Sequence, residues 1–174
     1  MEETEKKPVP PKDGVQGIFM IGCSKKILNQ KFVLVQDHDN RGTGTKIRKC
    51  GLPGGAIEPG EDEWTAFLRE TEEEIALVLQ ESSFEKIGCF TKLRPGGFTN
   101  ENNLFKVRLD YSPKCVTNDP KEVSKVHKFT LAKIIFLAQK GQIHEGSIRL
   151  LLHFLNGTTS GSLNEPVTWN GFTF

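Results

Sequence analysis

Short apolar runs alternate with polar, glycine-bearing turns along most of the chain. Branched and aromatic residues concentrate at 17–21 and 32–35, which predicts two strands suited to form a hairpin. Two further strands are predicted over 84–93 and 104–111, on either side of a Pro-Gly-Gly turn. At 126–136 the pattern changes from strand to helix near Leu131. Strands and helices interleaved in this way predict an α/β layered domain.

A helix is predicted over 61–79, because this stretch holds neither Gly nor Pro. At about 100° per residue its apolar side chains form one stripe, which we expect to be buried: Trp64, Phe67, Leu68, Thr71, Ile75 and Val78. A final helix is predicted from an N-cap at Ser147 to Leu155, with Gly157 as its stop.

These elements predict one domain over 14–157, between two segments of different character. Residues 1–13 are charged and rich in proline, which indicates a disordered leader. Residues 158–174 end in four apolar residues: Val167, Trp169, Phe172 and Phe174. This tail is expected to dock on the domain or on a second copy of the chain, as in a homodimer, or else to be disordered.

Composition excludes several classes of function. The net charge of +1 over 174 residues gives no overall basic field for bulk nucleic-acid binding, and no apolar run approaches the ~18 residues of a membrane span. The four cysteines form no C-x-x-C pair, so we expect reduced thiols that act as small core residues. A cytoplasmic location is therefore expected.

Three carboxylates carry the candidate chemistry. Glu70, Glu73 and Glu74 share one face of the predicted helix, where like charges repel one another. A solvated acidic face is the ordinary explanation of such a patch. Two neighbours favour a site for Mg²⁺ or Mn²⁺ instead: Arg69 can hold a carboxylate rotamer, and the Leu-Pro-Gly-Gly turn at 52–55 leaves space for a phosphate and a free carbonyl.

These residues resemble the signature of the Nudix hydrolase family, G-x5-E-x7-R-E-U-x-E-E-x-G-U, in which U is aliphatic. The chain has Gly55, then Glu61, then the segment Arg69-Glu70-Thr71-Glu72-Glu73-Glu74-Ile75-Ala76-Leu77. Two positions depart from the pattern. Thr71 replaces an aliphatic residue, and Ala76 replaces a glycine whose backbone conformations an alanine is not expected to adopt.

The resemblance implies a Nudix-type α/β/α sandwich with a mixed β-sheet and a pyrophosphohydrolase acting on a nucleotide-derived small molecule. It implies that Glu70, Glu73, Glu74 and the Gly54 carbonyl bind the metal, and that Arg69 orients Glu73. Glu61 is given a structural role. The general base is left open between Glu70 and a distant carboxylate, for which Glu122 is the candidate.

Other positions leave alternatives open. Arg94, Phe98 and Phe105 can supply phosphate and base-stacking contacts, although ordinary packing explains them equally well. The Gly-rich segment 42–46 lacks the ending of a phosphate-binding loop and is interpreted as a loop. A Nudix fold that binds a nucleotide without turnover is the alternative function, motivated by Ala76.

Overall fold

The computed structural model describes residues 9–37 and 48–174; the Gly-rich segment 42–46 lies outside them, as does most of the predicted leader. Ten strands and three α-helices follow one another along the chain: β1 (Gly14–Ile21), β2 (Lys31–Asp37), β3 (Cys50–Gly51), β4 (Gly54–Ala56), α1 (Glu63–Ile75), β5 (Phe84–Leu93), β6 (Thr99–Leu109), β7 (Val123–Thr130), α2 (Leu131–Gln139), α3 (Glu145–Leu155), β8 (Ser160–Ser162), β9 (Thr168–Trp169) and β10 (Phe172–Thr173).

Eight of these strands form one mixed sheet, in which β1 runs parallel to β6 and β5 parallel to β8. The strands β1 and β2 pair only at two positions and then diverge. Residues 50–56 fill the gap, because β3 pairs with β2 and β4 pairs with β1. Between them the Pro53 carbonyl accepts the Gly17 N–H at 2.9 Å. The divergence thus sets a Gly-rich loop into the plane of the sheet.

Helices cover both faces of the sheet. On one face α1 packs its Phe67 and Ile75 against alternate residues of the strands, among them Val15 and Phe105. On the other face α2 and α3 cover a second core that includes Ile18 and Leu104. Neighbouring strand residues point to opposite faces, so each strand supplies both cores. The predicted α/β/α sandwich with a mixed sheet is confirmed.

The strands predicted at 84–93 and from 126 onward are confirmed, and α2 begins at Leu131 as expected. The predicted helix 61–79 is shorter than expected, since α1 ends at Ile75. The predicted burial is wrong for two residues of the stripe. Val78 lies beyond the helix and is 80% exposed, and Trp64 is 41% exposed. The Trp64 ring nevertheless packs against the rings of Phe84 and Phe105.

The C-terminal tail docks on the domain of its own chain. Its strand β8 pairs with β5, while β9 and β10 form a separate hairpin. Val167 is buried, and three aromatic residues pack against the core under α3: Trp169, Phe172 and Phe174. Docking on this chain explains the apolar residues of the tail without a second copy. A homodimer stays a prediction, which light scattering can test.

Two sequence-based assignments are corrected. Ser147 is not the N-cap of α3, because the helix begins at Glu145 after His144, whose N–H donates to the Cys50 carbonyl. The Ser147 hydroxyl instead accepts the N–H of Leu52 at 3.0 Å. Of the four thiols, only Cys50 is buried, while Cys23 and Cys115 are exposed; most therefore do not act as core residues. Within the described residues, no helix is long and apolar enough to cross a membrane.

Candidate active site

The ends of α1 fix the geometry of the acidic helix. Asp62 is the N-cap, and its carboxylate accepts the N–H of Thr65 at 2.7 Å. At the other end Ala76 adopts the left-handed conformation, with φ 54° and ψ 36°. The expectation that an alanine would not adopt a glycine-like conformation here is wrong, and the exit of the chain from the helix is that of a glycine C-cap.

Arg69 joins the loop before α1 to the acidic face of the helix. Its guanidinium donates to both carboxylate oxygens of Glu61, at 2.7 and 3.0 Å. One nitrogen of the fork also donates to Glu70 at 2.8 Å and to Glu73 at 3.0 Å, and another donates to the Ala56 carbonyl. This bidentate contact lowers the pKa of Glu61 to about 2.

Glu70 lies in a crowded, desolvated position. Its side chain is 12% exposed, and a Cβ atom on Gly55 would stand 2.3 Å from one of its carboxylate oxygens. A larger residue at position 55 would therefore displace this carboxylate. Desolvation by burial raises the pKa of Glu70, and the charges of Glu73 and Glu122 raise it further, against the opposing effect of Arg69.

Glu74 connects the helix to the Gly-rich loop. Its carboxylate accepts the Gly54 N–H at 2.7 Å, and its side chain is buried. Gly54 has φ +146°, and a Cβ atom there would come within 2.0 Å of the Val15 carbonyl oxygen. Residue 54 must therefore be a glycine for β4 to lie against β1. The structure thus brings Gly54 next to the third glutamate of the cluster.

The loop between β6 and β7 attaches to the C-terminal end of α1, an arrangement that sequence analysis missed. The N–H groups of Asn118 and Asp119 both donate to the Glu73 carbonyl at 2.9 Å, which the Thr117 hydroxyl also binds. Through this loop Glu122 comes close enough for its charge to raise the pKa of Glu70. Loop residues that bind a helix end leave no periodic pattern in a sequence.

The three candidate substrate contacts lie on β6 and in the turn between β5 and β6. Arg94 and Phe98 occupy the tip of the β5–β6 hairpin, where the Arg94 N–H donates to the Phe98 carbonyl at 2.7 Å and its guanidinium donates to Asn100. Phe105 is fully buried against Phe67 and belongs to the core. The base-stacking role considered for Phe105 is therefore wrong.

The oxygen-only donors of the cluster suit a hard divalent cation. Among the described residues, no group of three or more His, Cys, Asp or Glu side chains lies close enough together to hold a metal ion. The reason is visible in the contacts: Arg69 binds Glu70 and Glu73, and the Gly54 N–H binds Glu74. Glu70 nevertheless keeps a raised pKa beside Arg69, so its charge is incompletely compensated. A cation at this place would offset that charge.

The sequence profile described as NUDIX domain matches residues 17–152. A search of curated protein sequences gave no match. Among solved structures, the NUDIX domain of Shewanella oneidensis NrtR, complexed with ADP ribose, has a TM-score of 0.65 at 19% identity, over 90% of this chain and 98% of that one. A NUDIX hydrolase from Nitrosomonas europaea has a TM-score of 0.60 at 20% identity, over 86% and 93%. A C. elegans Ap4A hydrolase in a binary complex has a TM-score of 0.53 at 20% identity, over 83% and 99%. These likenesses agree with the fold, and the profile match shows that the chain belongs to the NUDIX family of hydrolases.

Proposed function

We propose that the protein is a Mg²⁺-dependent pyrophosphohydrolase that cleaves a phosphoanhydride bond in a nucleoside diphosphate linked to another moiety. The observation that carries this proposal is the position of Glu74 and Glu70 against Gly54 and Gly55, with Arg69 joining Glu70 to Glu73 on the same helix. Like charges this close on one helix face destabilise the helix, and a divalent cation would add to the compensation that Arg69 gives. Mn²⁺ suits the same donors.

Each residue of the cluster has a proposed task. Glu70, Glu73, Glu74 and the Gly54 carbonyl would hold the metal, which when bound lowers the pKa of a water ligand and neutralises charge on the leaving phosphate. Arg69 would position Glu70 and Glu73 through its two contacts. The proton of the attacking water would pass to Glu70 or to Glu122, the two carboxylates left open for the role of general base.

The compounds associated with two of the solved relatives support the substrate class. One was complexed with ADP ribose and another is an Ap4A hydrolase, and both compounds are nucleoside diphosphate derivatives. NDP-sugars and (d)NTPs belong to the same class. Arg94 and Phe98 on the hairpin tip are proposed to contact the substrate. The four thiols form no disulfide, which fits the reducing cytoplasm in which we place the protein.

Turnover of a substrate panel tests the proposal. The purified protein would be incubated with Mg²⁺ and ADP-ribose, dinucleoside polyphosphates, NDP-sugars, (d)NTPs or capped RNA. Glu73→Gln is expected to lower turnover on the order of 100-fold, as loss of one electrostatic contact to the reacting groups does. Glu72→Gln is the matched control, since Glu72 lies on the exposed side of the same helix. Equal rates for both variants would refute the proposal.

A nucleotide-binding protein without turnover is the second candidate. It is favoured by one observation: Arg69 already occupies Glu70 and Glu73, and a metal must compete with it for these carboxylates. The conformation of Ala76 no longer supports this candidate, because the helix ends as it would with glycine. Calorimetric binding of a nucleotide, combined with no Mg²⁺-dependent product release, would select it.

A further inference from the structure

Two carboxamide side chains on neighbouring strands bury polar atoms that lack partners. The oxygen Oε1 of Gln16 and the nitrogen Nδ2 of Asn102 are both inaccessible to solvent, and neither has a hydrogen-bond partner in the described part of the chain. Asn102 as a whole is 7% exposed. Buried polar atoms are almost always paired, because leaving one unpaired destabilises the fold. Two such atoms on adjacent strands therefore call for an explanation.

Two other asparagines of β6 have their carboxamides paired within the fold. Asn103, the next residue along β6, donates to the Gly14 carbonyl at 3.3 Å. Asn100 accepts from Arg94 at 3.0 Å and donates to the Lys12 carbonyl at 3.3 Å. Asn102 lies between them in the same strand without an equivalent contact for its Nδ2. Among these three asparagines of β6, Asn102 is thus the one that keeps an unpaired carboxamide nitrogen.

Both side chains lie on the sheet face opposite α1, next to the Gly-rich loop. The register pairs Gly14 with Asn102 and Gln16 with Leu104, and Leu104 belongs to the core under α2 and α3. On its other side Gln16 pairs with Gly54, whose N–H binds Glu74. A Cβ atom on Gly14 would stand 3.5 Å from the Asn102 carboxamide oxygen. Gly14 thus lies directly beside Asn102 and the Gly-rich loop.

We propose that Gln16 and Asn102 form a specificity site that binds the base of the substrate, through one accepted and one donated hydrogen bond, after the two side chains rotate to expose the atoms that are covered in this structure. The proposal rests on the proposed function, because it places the base beside the loop that would hold the reacting phosphates. The matching ligand is a planar group with an adjacent donor and acceptor. The edge of a nucleobase has this arrangement, and asparagine and glutamine are the side chains that commonly bind it. A base that carries a carboxamide, such as nicotinamide, also presents a donor next to an acceptor.

Equilibrium binding tests the site without requiring turnover. Calorimetry in Mg²⁺ would compare AMP, GMP, CMP, UMP and nicotinamide mononucleotide with ribose 5-phosphate, which lacks a base. The variants are Asn102→Leu and Gln16→Met, which keep side-chain size and remove the unpaired groups. Asn103→Leu is the matched control, since it removes a carboxamide that is satisfied within the fold.

The wild-type protein is expected to bind at least one base-bearing ligand about tenfold more tightly than ribose 5-phosphate, and each variant is expected to lose most of that preference. Affinity for ribose 5-phosphate should stay unchanged. Asn102→Leu should keep or raise Tm, because it removes an unpaired buried group, whereas Asn103→Leu should lower Tm. The ligand whose tighter binding disappears in the variants shows whether the site binds a nucleobase or the carboxamide of nicotinamide.

Retention of the full preference in Asn102→Leu would overturn the proposal, as would a wild-type protein that binds ribose 5-phosphate as tightly as every base-bearing ligand. A fall in Tm for Asn102→Leu without a change in preference would also overturn it and indicate a structural role. Failure of the proposed function gives a different result: selective binding would persist while the substrate panel shows no Mg²⁺-dependent product release.

Discussion

Replacing Arg69 by methionine removes the guanidinium that links the loop before α1 to the helix. The substitution deletes two contacts to Glu61 and one each to Glu70, Glu73 and Ala56. It keeps the apolar stem of the side chain. We expect a loss of folding stability dominated by Glu61, whose carboxylate receives both ends of the fork.

The size of this loss follows from the pKa of Glu61. A decrease from 4.5 to about 2 corresponds to about 3 kcal/mol at full strength, at about 1.4 kcal/mol per pKa unit. Part of the decrease comes from the Glu58 N–H, which the variant keeps. The side chains of Arg69 and Glu61 are also 29% and 16% exposed, so solvent screening and this second contact together reduce the contribution of Arg69 to about 2 kcal/mol. Loss of the buried partner of Glu70 adds to the cost, because breaking a buried pair leaves a charge uncompensated.

Urea unfolding at pH 7 measures this loss directly. The control is Lys86→Met, which removes the ion pair between Lys86 and Glu63, whose side chains are each about one-third exposed. Such a pair contributes about 0.5 kcal/mol, so the control should unfold close to the wild-type midpoint. The variants should share one denaturant slope, which would show that the unfolded states expose equal surface.

The pH dependence gives the same contribution an independent test. The pKa of Glu61 is lowered in the folded state, so its contribution is complete above the unfolded value of 4.5 and is lost as pH falls from there towards 2. The difference between wild type and Arg69→Met should therefore shrink between pH 5 and pH 2. A loss below about 0.5 kcal/mol at pH 7, or one independent of pH, would refute this account of Arg69.

Three further substitutions test local contacts. Ala76→Gly should raise the free energy of unfolding by about 1 kcal/mol, because it relieves the left-handed conformation of an alanine; an unchanged or lower urea midpoint would contradict this. Gly55→Ala should displace the Glu70 carboxylate, from which its Cβ would stand 2.3 Å, so Mg²⁺ affinity by calorimetry should fall. The control is Gly146→Ala, whose Cβ would meet only the Lys92 Nζ at 3.8 Å and which should leave the affinity unchanged. Ser147→Ala should cost about 1–2 kcal/mol by leaving the buried Leu52 N–H unpaired, and thermal unfolding at the wild-type Tm would show that another group replaces the hydroxyl.

Periodic patterns predicted the elements and the acidic cluster, because regular spacing fixes which side chains share a face. The spacing of Glu70, Glu73 and Glu74 places them on one edge of any helix, and α1 contains all three. The predicted strand at 84–93 coincides with β5. These predictions needed only local information.

Predictions failed where distant contacts decide a boundary. Ser147 precedes an apolar run as an N-cap does, yet α3 begins earlier because the His144 N–H binds the Cys50 carbonyl from β3. The end of α1 was misplaced because Ala76 carries no sequence sign of a left-handed C-cap. The attachment of residues 117–119 to the Glu73 carbonyl depends on a loop 44 residues away. None of these contacts has a periodic or local pattern.

The divergence of β1 and β2 explains how one short loop can lie beside both the acidic cluster and the proposed base site. Residues 50–56 lie in the plane of the sheet, so groups on either face can approach the loop. From the α1 face, Glu70 and Glu74 reach Gly55 and Gly54. From the opposite face, Gln16 lies beside Gly54 in the β1–β4 ladder. Substitutions on the α1 face should therefore change metal affinity and turnover, whereas substitutions on the other face should change which ligand is bound. Because the two sets of side chains are separated by the sheet, their effects on ligand binding should be additive in a double variant.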